Sequence, residues 1–181
     1  MSAALSLSES QTLTALRSFL LGILPAGTEV VRGQDNRVPE PQGDDFVTMT
    51  PVLRERLETN VDTYTDGYPN APSTKSILQP TKVTVQLDIH GPASADNAQI
   101  ITTLFRDDYG VEQFASSGFD VTPLYHSEPH QMPFVNGEQQ VEDRWVVDVV
   151  MQCNPVVTVP QQFADQLQVG LIDVDAQYPA T

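Results

Sequence analysis

KVTVQLDIHGPASADNAQIITTLFRDDYG, residues 82–110, reads as a strand, a turn and a helix in succession. Val83, Val85, Leu87 and Ile89 alternate with Lys82, Thr84, Gln86, Asp88 and His90, the period-two pattern of a half-buried strand. Gly91 and Pro92 end it. Ser94 is the expected cap of the following helix, with Asp96 well placed in its first turn. Ala98, Ile101 and Phe105, joined by Ile100 and Leu104, make that helix's buried face. Gly110 reads as a break before a short amphipathic piece around Val111 to Phe114.

Towards the N-terminus, Ser8 and Gln11 fit a capping box, in which each side chain satisfies a backbone N–H of the other. Leu13, Leu16, Leu20 and Ile23 then recur at helical spacing, and Pro25 and Gly27 stop the helix. Thr28 to Arg32 reads as a short strand. Residues 33–45 are a polar loop with two prolines and two glycines, long for a connection and therefore a candidate working surface. Phe46 to Leu57 is extended, with Pro51 marking an edge or a bulge because it cannot donate to a ladder. Residues 62–80, punctuated by Pro69, Pro72 and Pro80, read as a loop or protruding arm.

Towards the C-terminus, Phe119 to Tyr125 can form a strand, and residues 126–143 a loop or hairpin tip. Arg144 to Gln152 is a strand with Trp145, Val147, Val149 and Met151 on one face. Val146 and Val150 make its other face apolar too, so it belongs in the middle of a sheet. Val156 to Val159 and Gln168 to Val174 complete the strands. Strands joined without helices pair antiparallel, so the expected class is α+β. The expected form is one domain over residues 1–181: a single, mostly antiparallel sheet with two main helices on one face, plus long loops or an extended arm.

Composition agrees with a packed domain. Leu, Ile, Val and Phe number 49 of 181 residues, above the roughly 20 % at which disorder sets in. Nine Lys+Arg against 24 Asp+Glu give a net charge of −15. A basic face that could displace counterions from nucleic-acid phosphates is therefore out of reach, and so is attraction to an anionic membrane. One cysteine, Cys153, follows an apolar run and reads as buried packing. The N-terminus shows no basic leader and no apolar run reaches the length of a bilayer span, so synthesis in the cytosol is expected.

No phosphate-binding glycine loop, nucleophile elbow or zinc-protease motif is present. His126 and His130 are four apart, but Pro129 and Pro133 argue against the helix that would align them; with His90 they form a distant metal-site alternative. Asp107/Asp108 and Glu142/Asp143 read as solvated turn acids rather than a catalytic pair. Arg54 and Arg56 alternate with Glu55 along an extended segment and end near Glu58, a pattern that serves either pairing between chains or a plain solvated face.

RGQDNRVPEP at 32–41, VTMTPVLRERLETNVDTY at 47–64, the segment 82–110 and NPVVTVPQQFADQLQVGLIDVD at 154–175 together resemble the neck terminator proteins of contractile-tailed phages. The resemblance spans nearly the whole chain. It implies an α+β subunit of a homo-oligomeric ring, usually a hexamer, in the virion neck, made in the bacterial host cytoplasm. It implies tail tube and sheath proteins and the head connector as partners, genomic DNA passing through the lumen, and no membrane, cofactor or catalytic residue. The ring would stop tube and sheath growth and join tail to head. A head-completion or connector-adaptor ring of the same neck is the alternative, and a small metal-dependent hydrolase built on His126 and His130 a distant one. Arg37, Arg54 and Arg56 are the expected intersubunit contacts, because cations are scarce in an acidic chain. Loop 33–45, arm 62–80 and loop 126–143 are the expected working surface.

Overall fold

A computed structural model describes residues 2–34, 41–135, 137 and 139–163. Helix α1 (Glu9–Ile23) starts at the expected capping box: Ser8 Oγ accepts from Gln11 N–H, and the Gln11 side chain accepts from Ser8 N–H. It buries Leu13, Ala15, Leu16, Phe19 and Leu20. Two further helices follow, α2 (Ser94–Phe105) and α3 (Asp108–Ser116). Ser94 is not the cap of α2. It is its first residue, and the cap is Ala93, whose N–H donates to Asp45 Oδ1 at 2.9 Å.

Gly110 does not break the pattern but lies inside α3. A Cβ there would sit 2.5 Å from the Leu104 carbonyl oxygen, so only glycine lets α3 approach the end of α2 this closely. The approach brings one phenylalanine from each helix into a cluster. Phe19 lies 5.9 Å from Phe105 and 5.3 Å from Phe114, and Phe105 lies 5.9 Å from Phe114.

These helices cover one face of a six-stranded sheet. Its main path runs β2 (Glu29–Arg32), β3 (Phe46–Arg56), β6 (Thr81–His90), β11 (Arg144–Cys153), β7 (Val121–His126), and β8 (His130–Gln131) continues beside β11. The β6 alternation holds as expected: Val83, Val85, Leu87 and Ile89 are all buried. β11 is central, with Val147 opposite Leu87 and Val149 opposite Val85. Only β2 and β3 run parallel.

The expectation of a single sheet with two helices is corrected by the rest of the chain. Strands β1 (Ala4–Leu5), β12 (Val156–Pro160), β5 (Thr74–Leu78) and β4 (Val61–Thr65) form a separate four-stranded sheet in that order. β9 (Phe134–Val135) and β10 (Val141–Glu142) form a two-stranded one. The sheets divide at Pro80 and Pro155. Each proline lacks a ladder N–H, so β5–β6 and β11–β12 turn there from one sheet into the other. The junctions remain tied, with Leu57 N–H donating to Pro80 O at 3.0 Å and Gln79 N–H to Pro155 O at 3.1 Å. Residues 62–80 are thus an arm made of strands. The expected strand at 168–174 lies outside the described residues.

Candidate assembly surface

The outer half of β3 carries two of the three predicted contact residues. β2 pairs only with Phe46–Met49, so from Pro51 onward no strand among the described residues pairs with the outer side of β3. The register slips between Pro51, opposite Val85, and Leu53, opposite Thr84. This is the bulge that Pro51 foretold. It leaves Val52 and Leu53 both more than half exposed, at 57 % and 51 %.

Beyond the bulge, Arg54 Nη2 stands 3.8 Å from Glu9 Oε2, while Arg32 Nη2 donates to Glu9 Oε1 at 2.6 Å. Lys82 Nζ meets Glu55 at 2.7 Å across the ladder. With the Gln79 amide turned oxygen-first, Arg56 donates to it from Nε at 2.8 Å and Nη2 at 2.7 Å. Exposed pairs of this kind contribute about 0–1 kcal/mol. Their effect is to hold the guanidinium groups in place on the surface. Arg54 and Arg56 line a shallow groove with Leu5, Gln79, Pro155 and Val157. Its volume of about 250 Å³ falls below the roughly 300–1,000 Å³ of small-molecule sites. Arg37 lies outside the described residues.

The arm's tip, residues 66–73, supports itself. The Asp66 carboxylate accepts from Tyr68 N–H at 3.1 Å and Ser73 Oγ at 2.6 Å. Those two bonds, Ser73 first, hold the Asp66 carboxyl below its ordinary range. Gly67 N–H donates to Ser73 Oγ at 3.1 Å, and Ala71 N–H to Gly67 O at 2.7 Å. Tyr68 projects from this turn with 81 % of its surface exposed.

Loop 126–143 folds back on its own sheet. β8 pairs with Trp145 and Val146, and Phe134 packs edge-on against His90 at 5.1 Å. Phe46 stacks on the other side of His90 at 4.4 Å. The polar face read from the β6 alternation is therefore covered at one end, where Asp88 and His90 are both buried. Asp88 is paired with Arg144 through Nε at 3.0 Å and also through Nη2. Among the described residues His90 Nδ1 has no hydrogen-bond partner; it lies 3.8 Å from Glu142 Oε1. Burial lowers the His90 pKa, and Arg144 lowers it further against the pull of Glu142 and Asp88. A loop or hairpin tip was expected at 126–143, but neither its cover over His90 nor the Asp88–Arg144 pair was foreseen.

The remaining candidates have local duties. His126 Nδ1 donates to Ser127 O at 2.8 Å, and His130 Nδ1 stands 3.4 Å from Glu128 O. Asp107 caps α3, accepting from Tyr109 N–H at 2.9 Å. Asp143 Oδ1 accepts from Gln131 Nε2 at 3.2 Å. Cys153 is buried with Sγ 3.8 Å from Thr12 Oγ1, and burial raises its pKa. Among the described residues, no three or more His, Cys, Asp or Glu side chains are grouped to hold a metal ion. No described helix is long and apolar enough to cross a membrane. What the geometry offers is a surface for protein contact.

A family model described as phage neck terminator protein matches residues 10–175. No curated protein matches the chain.

Proposed function

The chain belongs to the phage neck terminator proteins, a family of structural proteins of the phage neck, and from that premise we propose that it forms a ring at the head-proximal end of the tail. The match across residues 10–175 carries this reading. In it, the whole chain acts as one subunit of a hexamer in the virion neck. The ring ends growth of the tail tube and sheath, gives the head connector a surface to dock on, and performs no catalysis.

The physical chemistry supports association between copies and the passage of DNA. The four-stranded sheet has no buried residue in any strand. A sheet whose edge strands are exposed and whose middle strands are only half-buried is stabilised when a neighbouring chain covers it. Arg37, Arg54 and Arg56 are the proposed contacts to that neighbour. A chain of net charge −15 gives a lumen whose walls repel DNA, so the polyanion slides through without sticking.

The test is electron microscopy of the purified protein incubated with tail tubes. The expected image is a six-fold ring capping one end of each tube. Rings that bind isolated portal assemblies and ignore tubes would make the protein a connector adaptor instead.

A further inference from the structure

Residues 46–82 hold four cations, Arg54, Arg56, Lys75 and Lys82, and four acids, Glu55, Glu58, Asp62 and Asp66. The whole net charge of −15 therefore lies outside this segment. The same residues display Val52, Leu53, Leu57, Val61, Tyr64 and Tyr68, each between 44 % and 81 % exposed. A charge-balanced surface with exposed apolar side chains thus stands out from a strongly acidic molecule.

That surface ends in an unprotected strand. Soluble proteins blunt the edges of sheets, since unpaired backbone groups recruit other chains. Here β7 carries Pro123, and at the β2 edge the Val30 carbonyl is taken by Arg17 Nε at 2.9 Å. β1, two residues long, forms the arm's other edge. β4 has five exposed residues, no proline, and a partner, β5, on one side alone among the described residues.

The charge distribution identifies the occupant. Two copies of an acidic chain repel wherever their acidic surfaces come within a Debye length of about 8 Å. The arm is where that repulsion vanishes, and its balanced cations and acids complement those of an identical arm. A basic partner would find a denser acidic surface elsewhere on the molecule. We infer that this sheet is the contact through which one copy holds the next, with the open edge of β4 added to the neighbour's arm on its β1 side. Because β4 and β1 are opposite edges, the contact is head-to-tail, the type that closes into rings. The inference rests on the ring reading for the fact of self-association; the surface assigned is new.

Two measurements test it. The first compares the wild type, a Val61→Glu/Thr63→Glu double variant, and Val111→Glu, a control at an exposed position on α3. Association is followed by sedimentation at about 1 M salt, where surface repulsion is screened, and by capping of tail tubes. The double variant should associate at least roughly tenfold more weakly, with unchanged circular dichroism, while Val111→Glu matches the wild type. The second is amide exchange of wild-type β4, which should slow on assembly. A double variant that assembles like the wild type, or β4 amides equally fast in both states, overturns the inference and leaves the ring standing. A wild type that never associates, in salt or on tubes, removes the ring reading and the inference together.

Discussion

Gly110 and Gly22 sit in helices with opposite surroundings, and the difference can be measured. A methyl group at Gly110 would press on the Leu104 carbonyl 2.5 Å away, whereas nothing lies within 4 Å of one at Gly22. Gly110→Ala should destabilise the fold by about 1–3 kcal/mol through overpacking, lowering the melting temperature by several degrees. Gly22→Ala should raise stability by up to about 1 kcal/mol, since alanine is the better helix former. His90 gives a second residue-level test. Its folded pKa lies below 6.5 because burial disfavours the imidazolium. On acidification the unfolded chain takes its proton first, so stability is full above about pH 6.5 and falls below it, until the folded pKa is reached. His90→Phe should flatten the part of this loss that sets in as the pH falls through about 6.5, read by urea unfolding at each pH. Gly110 was misread because its helix-breaking tendency is a local property, while the reason for glycine there is a neighbouring backbone. His90 was misplaced on an open face because alternation tells which side a residue takes, not what later covers that side.

At the scale of elements, Asp88 and Arg144 join the two central strands near one end. Arg144 stands opposite His90, and Asp88 opposite Val146, so the pair bridges the ladder diagonally. Arg144→Met should cost about 3–5 kcal/mol by taking the charged partner from the buried Asp88 carboxylate and leaving it the neutral Gln86 amide. Asp88→Asn with Arg144→Met should recover a large share of that loss in a double-mutant cycle. Elements whose signals are local were legible: the capping box of α1, the alternation of β6 and the two-sided apolar pattern of β11. Of the four-stranded sheet only β12 was, as the strand read at Val156 to Val159. β4 is exposed and β5 half-buried along their whole length, so neither carries a hydrophobic alternation, and β1 is only two residues long. Pro69, Pro72 and Pro80 read as loop punctuation, although the first two lie at the tip and the third at the junction between sheets.

For the whole molecule, charge is expected to govern the proposed association. Arg54→Glu with Arg56→Glu turns the net-neutral segment 46–82 into one with a net charge of −4, since two of its four cations become acids. The variant should assemble more weakly than the wild type, and higher salt should recover part of the difference. Light scattering across a salt series, with circular dichroism to confirm the fold, checks this. Of the predicted contacts, Arg54 and Arg56 were legible as scarce cations on an extended segment. The apolar surface beside them was not, because exposure belongs to the folded chain.

The two proline junctions have a mechanical consequence. β5 and β12, the middle strands of the arm, continue through Pro80 and Pro155 into β6 and β11, the middle strands of the main sheet. A tensile load on the arm therefore runs lengthwise along β6 and β11. Ladder hydrogen bonds lie across the strands, so such a load shears many of them at once instead of peeling them one by one. The arm is anchored as a cable is, by strands that cannot be drawn out until the helix-covered core itself gives way.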